Sequence, residues 1–108
     1  DSTSGEAYVD VYAFVQKGRC LSELGLFEDA IKSYERAIKN YDNCTEAYYF
    51  MGLTQIKMSQ NDLACSSLNK ALVLIQKGFK SSDMYVEYFH EVYQQQIENS
   101  IAENCSGT

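Results

Sequence analysis

The chain has 108 residues, no proline, four cysteines, one histidine and a formal net charge of −6. That length suits one small domain that buries its core without a structural metal, and no apolar run approaches the roughly 20 residues that span a bilayer. The acidic balance and the scatter of Lys and Arg argue against nucleic acid and anionic membrane surfaces as partners. A lone histidine, with Cys20, Cys44, Cys65 and Cys105 too far apart for any Cys-x-x-Cys, argues against zinc.

Residues 1–5, Asp-Ser-Thr-Ser-Gly, are small and polar and read as a tail, a linker or a processed end rather than a signal peptide. A first helix is expected over 6–24, with Tyr8, Val11, Phe14, Val15, Gly18, Leu21 and Leu24 on one broad face. Gly18 in its middle costs about 1 kcal/mol against alanine, which close approach by a neighbouring helix would compensate. Gly25 stands where a left-handed residue commonly ends a helix.

The second helix, 26–40, is the segment around which the rest is organised. Phe27, Ala30, Ile31, Tyr34, Ala37, Ile38 and Tyr41 follow the i, i+3, i+4, i+7 rule. Small Ala30 and Ala37 beside large Tyr34 suit a helix pressed closely against another. Glu28 and Asp29 in its first turn complement the helix dipole. Asp42-Asn43-Cys44-Thr45 is a turn, and Asn43 with Glu46 resembles a capping box.

A third helix is expected over 44–58, with Ala47, Tyr48, Met51, Gly52, Gln55 and Met58 inward. After a turn in which Ser59 or Asn61 is the expected cap, a fourth helix over 61–78 carries Leu63, Ala64, Leu68, Ala71, Leu72 and Ile75. Residues 77–82 break it, and Ser81 or Ser82 caps a long fifth helix over 82–103. Its stripe of Val86, Phe89, Tyr93, Ile97 and Ile101 lands one step later on Cys105. The last residues look like a fraying end.

Moved along by 34 residues, the chain falls on itself: Phe14 on Tyr48, Gly18 on Gly52, Ala30 on Ala64, Tyr34 on Leu68 and Ala37 on Ala71. A helix–turn–helix unit with this period resembles the tetratricopeptide repeat, which has an aromatic at its fourth place, Gly or Ala at the eighth, and small residues at the twentieth and twenty-seventh. The repeats are then 11–44 and 45–78. Some letters depart from the family pattern: its proline near the repeat end is Asp42 and then Gln76, its leucine at the seventh place is Lys17 and then Met51, and its large residue at the eleventh is Leu21 and then Gln55. The period is untouched by these changes.

The resemblance implies an all-α, right-handed superhelix of five helices in a single domain over 6–108, with helix 82–103 capping the apolar end of the stack. It also implies a non-catalytic module that binds a protein or peptide on its concave face. By position that groove takes Tyr12, Val15, Gln16, Arg19 and Glu23 from the first repeat, and Glu46, Tyr49, Phe50, Leu53 and Lys57 from the second. Tyr49, Phe50 and Leu53 supply apolar contact, and Arg19 and Lys57 orient polar groups. The carboxylate clamp of chaperone-linked members needs Lys and Asn in the groove; only Arg19 is suitable, so that mode is not expected. The alternative is a self-association domain, a homodimer joined through Tyr85, Tyr88, Phe89 and Tyr93. No catalytic set, cofactor motif or metal cluster is present to suggest an enzyme.

The stretch from Asp62 to Leu72, with Ala-Cys65 opening a helix and Asn-Cys105 near the end, also looks like the last repeat of exported tetratricopeptide proteins of Bacteroides-type bacteria. That resemblance implies a Cys65–Cys105 disulfide and a periplasmic or cell-surface location, the alternative being cytoplasmic. The lengths of the two arms disagree. An unbroken antiparallel fifth helix would overshoot Cys65 by roughly 10 Å at 1.5 Å per residue, so a late turn, or a bend near Asn99-Ser100, is needed.

Overall fold

The computed structural model describes the backbone of residues 3–79 and 92–105, and the side chains of 11–79 and 92–105. Among the described residues five helices follow in chain order: α1 (Thr3–Glu23), α2 (Phe27–Asn40), α3 (Thr45–Lys57), α4 (Asn61–Gln76) and α5 (Gln94–Cys105). The architecture is an all-α helical repeat. α1 packs on α2 and α3 on α4; α3 also meets α2 and α1, and α5 lies on α4 and touches α3.

The glycines at the eighth place hold each pair together. A Cβ on Gly18 would lie 2.5 Å from the Tyr34 ring, and one on Gly52 would lie 2.8 Å from Leu68 Cγ. Only a residue without a side chain lets these helices approach so closely, and Tyr34 and Leu68 are fully buried as a result. Full burial of a side chain such as Leu68 contributes about 1.5–3 kcal/mol. The repeat extends to the surface. Arg36 stacks over Phe14 at 4.8 Å and Lys70 over Tyr48 at 5.9 Å, the same pair of places one period apart.

Three of the turns share one device. After α1, Gly25 takes φ +82°, its N–H donates to the Ser22 carbonyl, and the Leu26 N–H donates to that of Leu21. After α4, Gly78 takes φ +95° and the Gly78 and Phe79 N–H groups donate to Ile75 and Leu74. After α3 the left-handed place is held by Ser59, φ +62°, with Ser59 and Gln60 donating to Ile56 and Gln55. All three are Schellman ends, closing otherwise orphaned carbonyls.

Several sequence expectations change here. α1 already runs from Thr3, three residues before its expected start at 6; polarity alone does not end a helix, and no proline stands there. The N-cap of α3 is Cys44 and that of α4 is Gln60, neither with a side-chain cap bond, so Asn43, Ser59 and Asn61 are not the caps. Ser59 is instead used by the preceding turn. Leu24 is 74% exposed because α1 ends before it, and Leu63 is 54% exposed on the first turn of α4. Leu74, absent from the expected face, is buried. It lies where the end of α4 meets the start of α3, and there the Thr45 hydroxyl donates to the Phe79 carbonyl.

The largest change is at the end of the chain. Val92 and Tyr93 are not helical and α5 starts at Gln94, so an unbroken helix over 82–103 does not exist. The Tyr93 N–H donates to Gln96 Oε1 at 2.8 Å, half of a capping box that begins the helix. This late start resolves the unequal arms without a bend at Asn99-Ser100. Cys65 stands eleven residues before the end of α4, and Cys105 eleven after the start of α5. The two form a disulfide with Cα atoms 5.8 Å apart, closing a separation of 40 residues. In the chain-entropy account such a loop contributes about 4 kcal/mol. The expected Ser81 or Ser82 cap, and Tyr8, Val86, Tyr85, Tyr88 and Phe89, lie outside the described residues or side chains.

Candidate functional site

The face between α1 and α3 contains a cleft of about 280 Å³, lined among others by Gln16, Arg19, Glu23, Phe50, Leu53 and Lys57. All six belong to the groove expected from sequence. The Arg19 guanidinium lies over the Phe50 ring, 4.5 Å from its centre, and Arg19 Nη1 donates to Gln16 Oε1 at 3.2 Å. A cation on an aromatic face is attracted by the ring quadrupole by about 0.5–1 kcal/mol at an exposed site. Gln16 is one helical turn before Arg19 and fixes the side chain from below. The cation is therefore held across the two repeats, its stem on α1 and its ring on α3.

Burial removes part of the expected groove. Val15, Glu46 and Tyr49 are 1%, 3% and 9% exposed. Val15 packs in the core of the first repeat with Val11, Tyr34 and Ala37, because its helix is buried against both α2 and α3. Tyr49 belongs to a second core with Leu68, Ala71, Val92 and Ile97. It stands edge-on to Phe50, ring centres 5.2 Å apart, so it supports the cleft from behind. Glu46 sits at the start of α3, where Cys44 Sγ approaches its Oε1 at 3.8 Å. Tyr12 is half-buried on α1 and does not line the cleft.

The floor of the cleft escaped the sequence reading. It includes Ser22, Tyr34 and Thr54. Thr54 Oγ1 donates to Ser22 Oγ at 3.0 Å, and Thr54 lies beside the Tyr34 hydroxyl. Burial pushes the Tyr34 phenol up to about 12, against smaller effects from Thr54 and Arg19 that lower it. One signal for this network was in the sequence. Tyr34 falls on Leu68 in the repeat, and a tyrosine buried where its counterpart is a leucine must find a partner for its hydroxyl. Cys20, an exposed free thiol, also lines the cleft.

The chemistry on offer is recognition: a stacked cation, a second cation at Lys57, the apolar Leu53, and hydroxyls already engaged with one another. Among the described residues no three His, Cys, Asp or Glu gather as a metal site, and no helix is long and apolar enough to cross a membrane.

None of the curated proteins compared with the chain matches it. A family model for the tetratricopeptide repeat matches residues 11–44 and 45–77, and these spans carry the paired glycines, the stacked cations and the cleft. The chain belongs to the tetratricopeptide repeat family.

Proposed function

We propose that the chain is a non-catalytic binding module that takes a protein or peptide segment in the cleft between α1 and α3. Tetratricopeptide repeats generally mediate protein–protein interaction, and the observation that carries this finer reading is Arg19 stacked on Phe50. A cation already oriented by Gln16 and by the ring loses little side-chain freedom when it meets a partner. Aromatic and arginine side chains also carry most of the energy at protein interfaces. Leu53 adds apolar contact and Lys57 a second positive group beside it.

The test is a selection of peptides on the intact protein, followed by titration of the selected peptides against Phe50→Ala and Arg19→Gln. Loss of about tenfold or more in affinity for both variants, roughly 1.4 kcal/mol, supports the reading. Equal binding to wild type and both variants moves the binding surface elsewhere.

The Cys65–Cys105 bond supports an oxidising compartment, in keeping with a periplasmic or cell-surface location. The alternative role in self-association keeps Tyr93, 56% exposed, as its described residue. Light scattering over a range of concentrations, with Tyr88→Ala as the variant, distinguishes it from the binding module.

A further inference from the structure

Among the described residues, few groups hold helix α5 to the rest of the protein. Of its twelve residues only Ile97 is buried, and Ile101 and Cys105 are half-buried. Among the described residues, side-chain hydrogen bonds run along this helix from Gln94 to Glu98, Gln95 to Asn99 and Asn104 to the Ser100 carbonyl. An isolated helix of this length is marginal in water, and each residue fixed on docking loses conformational entropy. One fully buried isoleucine and its half-buried neighbours offset little of that. The surface beneath is different in kind. Leu68 and Ala71 are fully buried, with Leu72 and Ile75 beside them and Tyr49 in the same cluster, and this face is apolar whether or not α5 is in place.

The cross-link ties the last residue of α5 to the first turns of α4. Both of its cysteines are half-buried, in contrast to the buried Cys44. We propose that Cys65–Cys105 is a redox latch: its reduction releases α5 from α4 and uncovers the apolar surface on which Ile97 packs, Leu72 and Ile75 together with Tyr49. The reductant is a dithiol. One of its thiolates attacks a sulfur of the bond, the S–S bond breaks, and the second thiol closes the reductant's own disulfide. Two electrons and two protons pass to Cys65 and Cys105, which leave as thiols. The latch is independent of what the cleft binds.

Backbone amide exchange on the intact protein tests it, oxidised and then after dithiothreitol, with Cys65→Ser/Cys105→Ser as the unreduced comparison. Amides of residues 97–105 are expected to exchange about a hundredfold faster in the reduced protein and in the variant. Those of α1, α2 and α3 are expected to change less than about threefold, and reoxidation to restore α5. Protection of α5 kept within about tenfold after reduction overturns the proposal, since apolar contact alone would then hold the helix. Joint loss of protection in all five helices overturns it too, because the bond would then hold the whole fold.

Discussion

A Cβ placed on Gly18 would lie 2.5 Å from Cε1 of Tyr34, closer than side-chain atoms approach one another in folded proteins. Alanine at this place gains about 1 kcal/mol of helix propensity, but overpacking costs about 1–3 kcal/mol. The ring has no room to swing aside: Tyr34 is 1% exposed and packed in the first core. Gly18→Ala is therefore expected to destabilise the protein by up to about 2 kcal/mol. Gly52→Ala should act alike, because its Cβ would meet Leu68 and, at 3.3 Å, the backbone carbonyl of Ala64. Urea unfolding midpoints check both, and a midpoint unchanged or raised would show that the helices have room to separate.

These glycines also show why so much of the fold was legible in the sequence. The period of 34 residues puts Gly18 on Gly52 and Tyr34 on Leu68, and the resemblance to the tetratricopeptide repeat that this period carries implies how the helices pair. Helix starts were less legible, because Cys44 and Gln60 cap with backbone only and leave no side-chain signature. The repeat pattern does not require Val15 and Tyr49, and so places them in an open groove. Their burial depends on which helices lie behind them, α2 and α5, and a one-dimensional pattern carries no such information. The hydroxyls of Ser22 and Thr54 meet across 32 residues and break no periodicity, so only Tyr34 hinted at them.

Ser59 holds φ +62° at the place where the first repeat has Gly25 at +82°. A residue with a Cβ in the left-handed region is strained by about 1–2 kcal/mol, and glycine gives back about 0.5–1 kcal/mol through the freedom of the unfolded chain. Ser59→Gly is expected to raise stability by about 0.5–1 kcal/mol and the melting temperature by a few degrees. Gly25→Ala should lower stability by a similar amount. Thermal melts of the two variants decide it: a lower melting temperature for Ser59→Gly would mean that the serine side chain contributes more than its strain costs.

The four cysteines are expected to fall into three classes. Cys20 is exposed and free, Cys44 is free but buried, and Cys65 and Cys105 are joined. Alkylation followed by intact mass should therefore find one labelled thiol in the native protein, two in denaturant, and four in denaturant with reductant. Two labels in the native protein would bring Cys44 to the surface. Four in denaturant alone would remove the disulfide.

Alkaline pH is expected to unfold the protein through the same buried groups. Burial, with the Glu46 carboxylate beside it, pushes the Cys44 thiol up to about 12, and burial pushes the Tyr34 phenol up to about 12. Burial also raises Tyr48. In the unfolded chain a cysteine ionises near 8.5 and a tyrosine near 10, so above those values the unfolded state has lost protons that the folded state still holds. Stability then falls with pH, by up to about 1.4 kcal/mol per pH unit for each group. The contribution is fully present below about pH 8.5 and is lost as pH rises toward 12. Cys44→Ala removes the earlier of the two onsets, between about pH 8.5 and 10, and leaves the tyrosine contribution. Urea midpoints across pH 7–12 for wild type and this variant measure the difference. Parallel curves for the two proteins would show that Cys44 ionises in the folded state as readily as in the unfolded one.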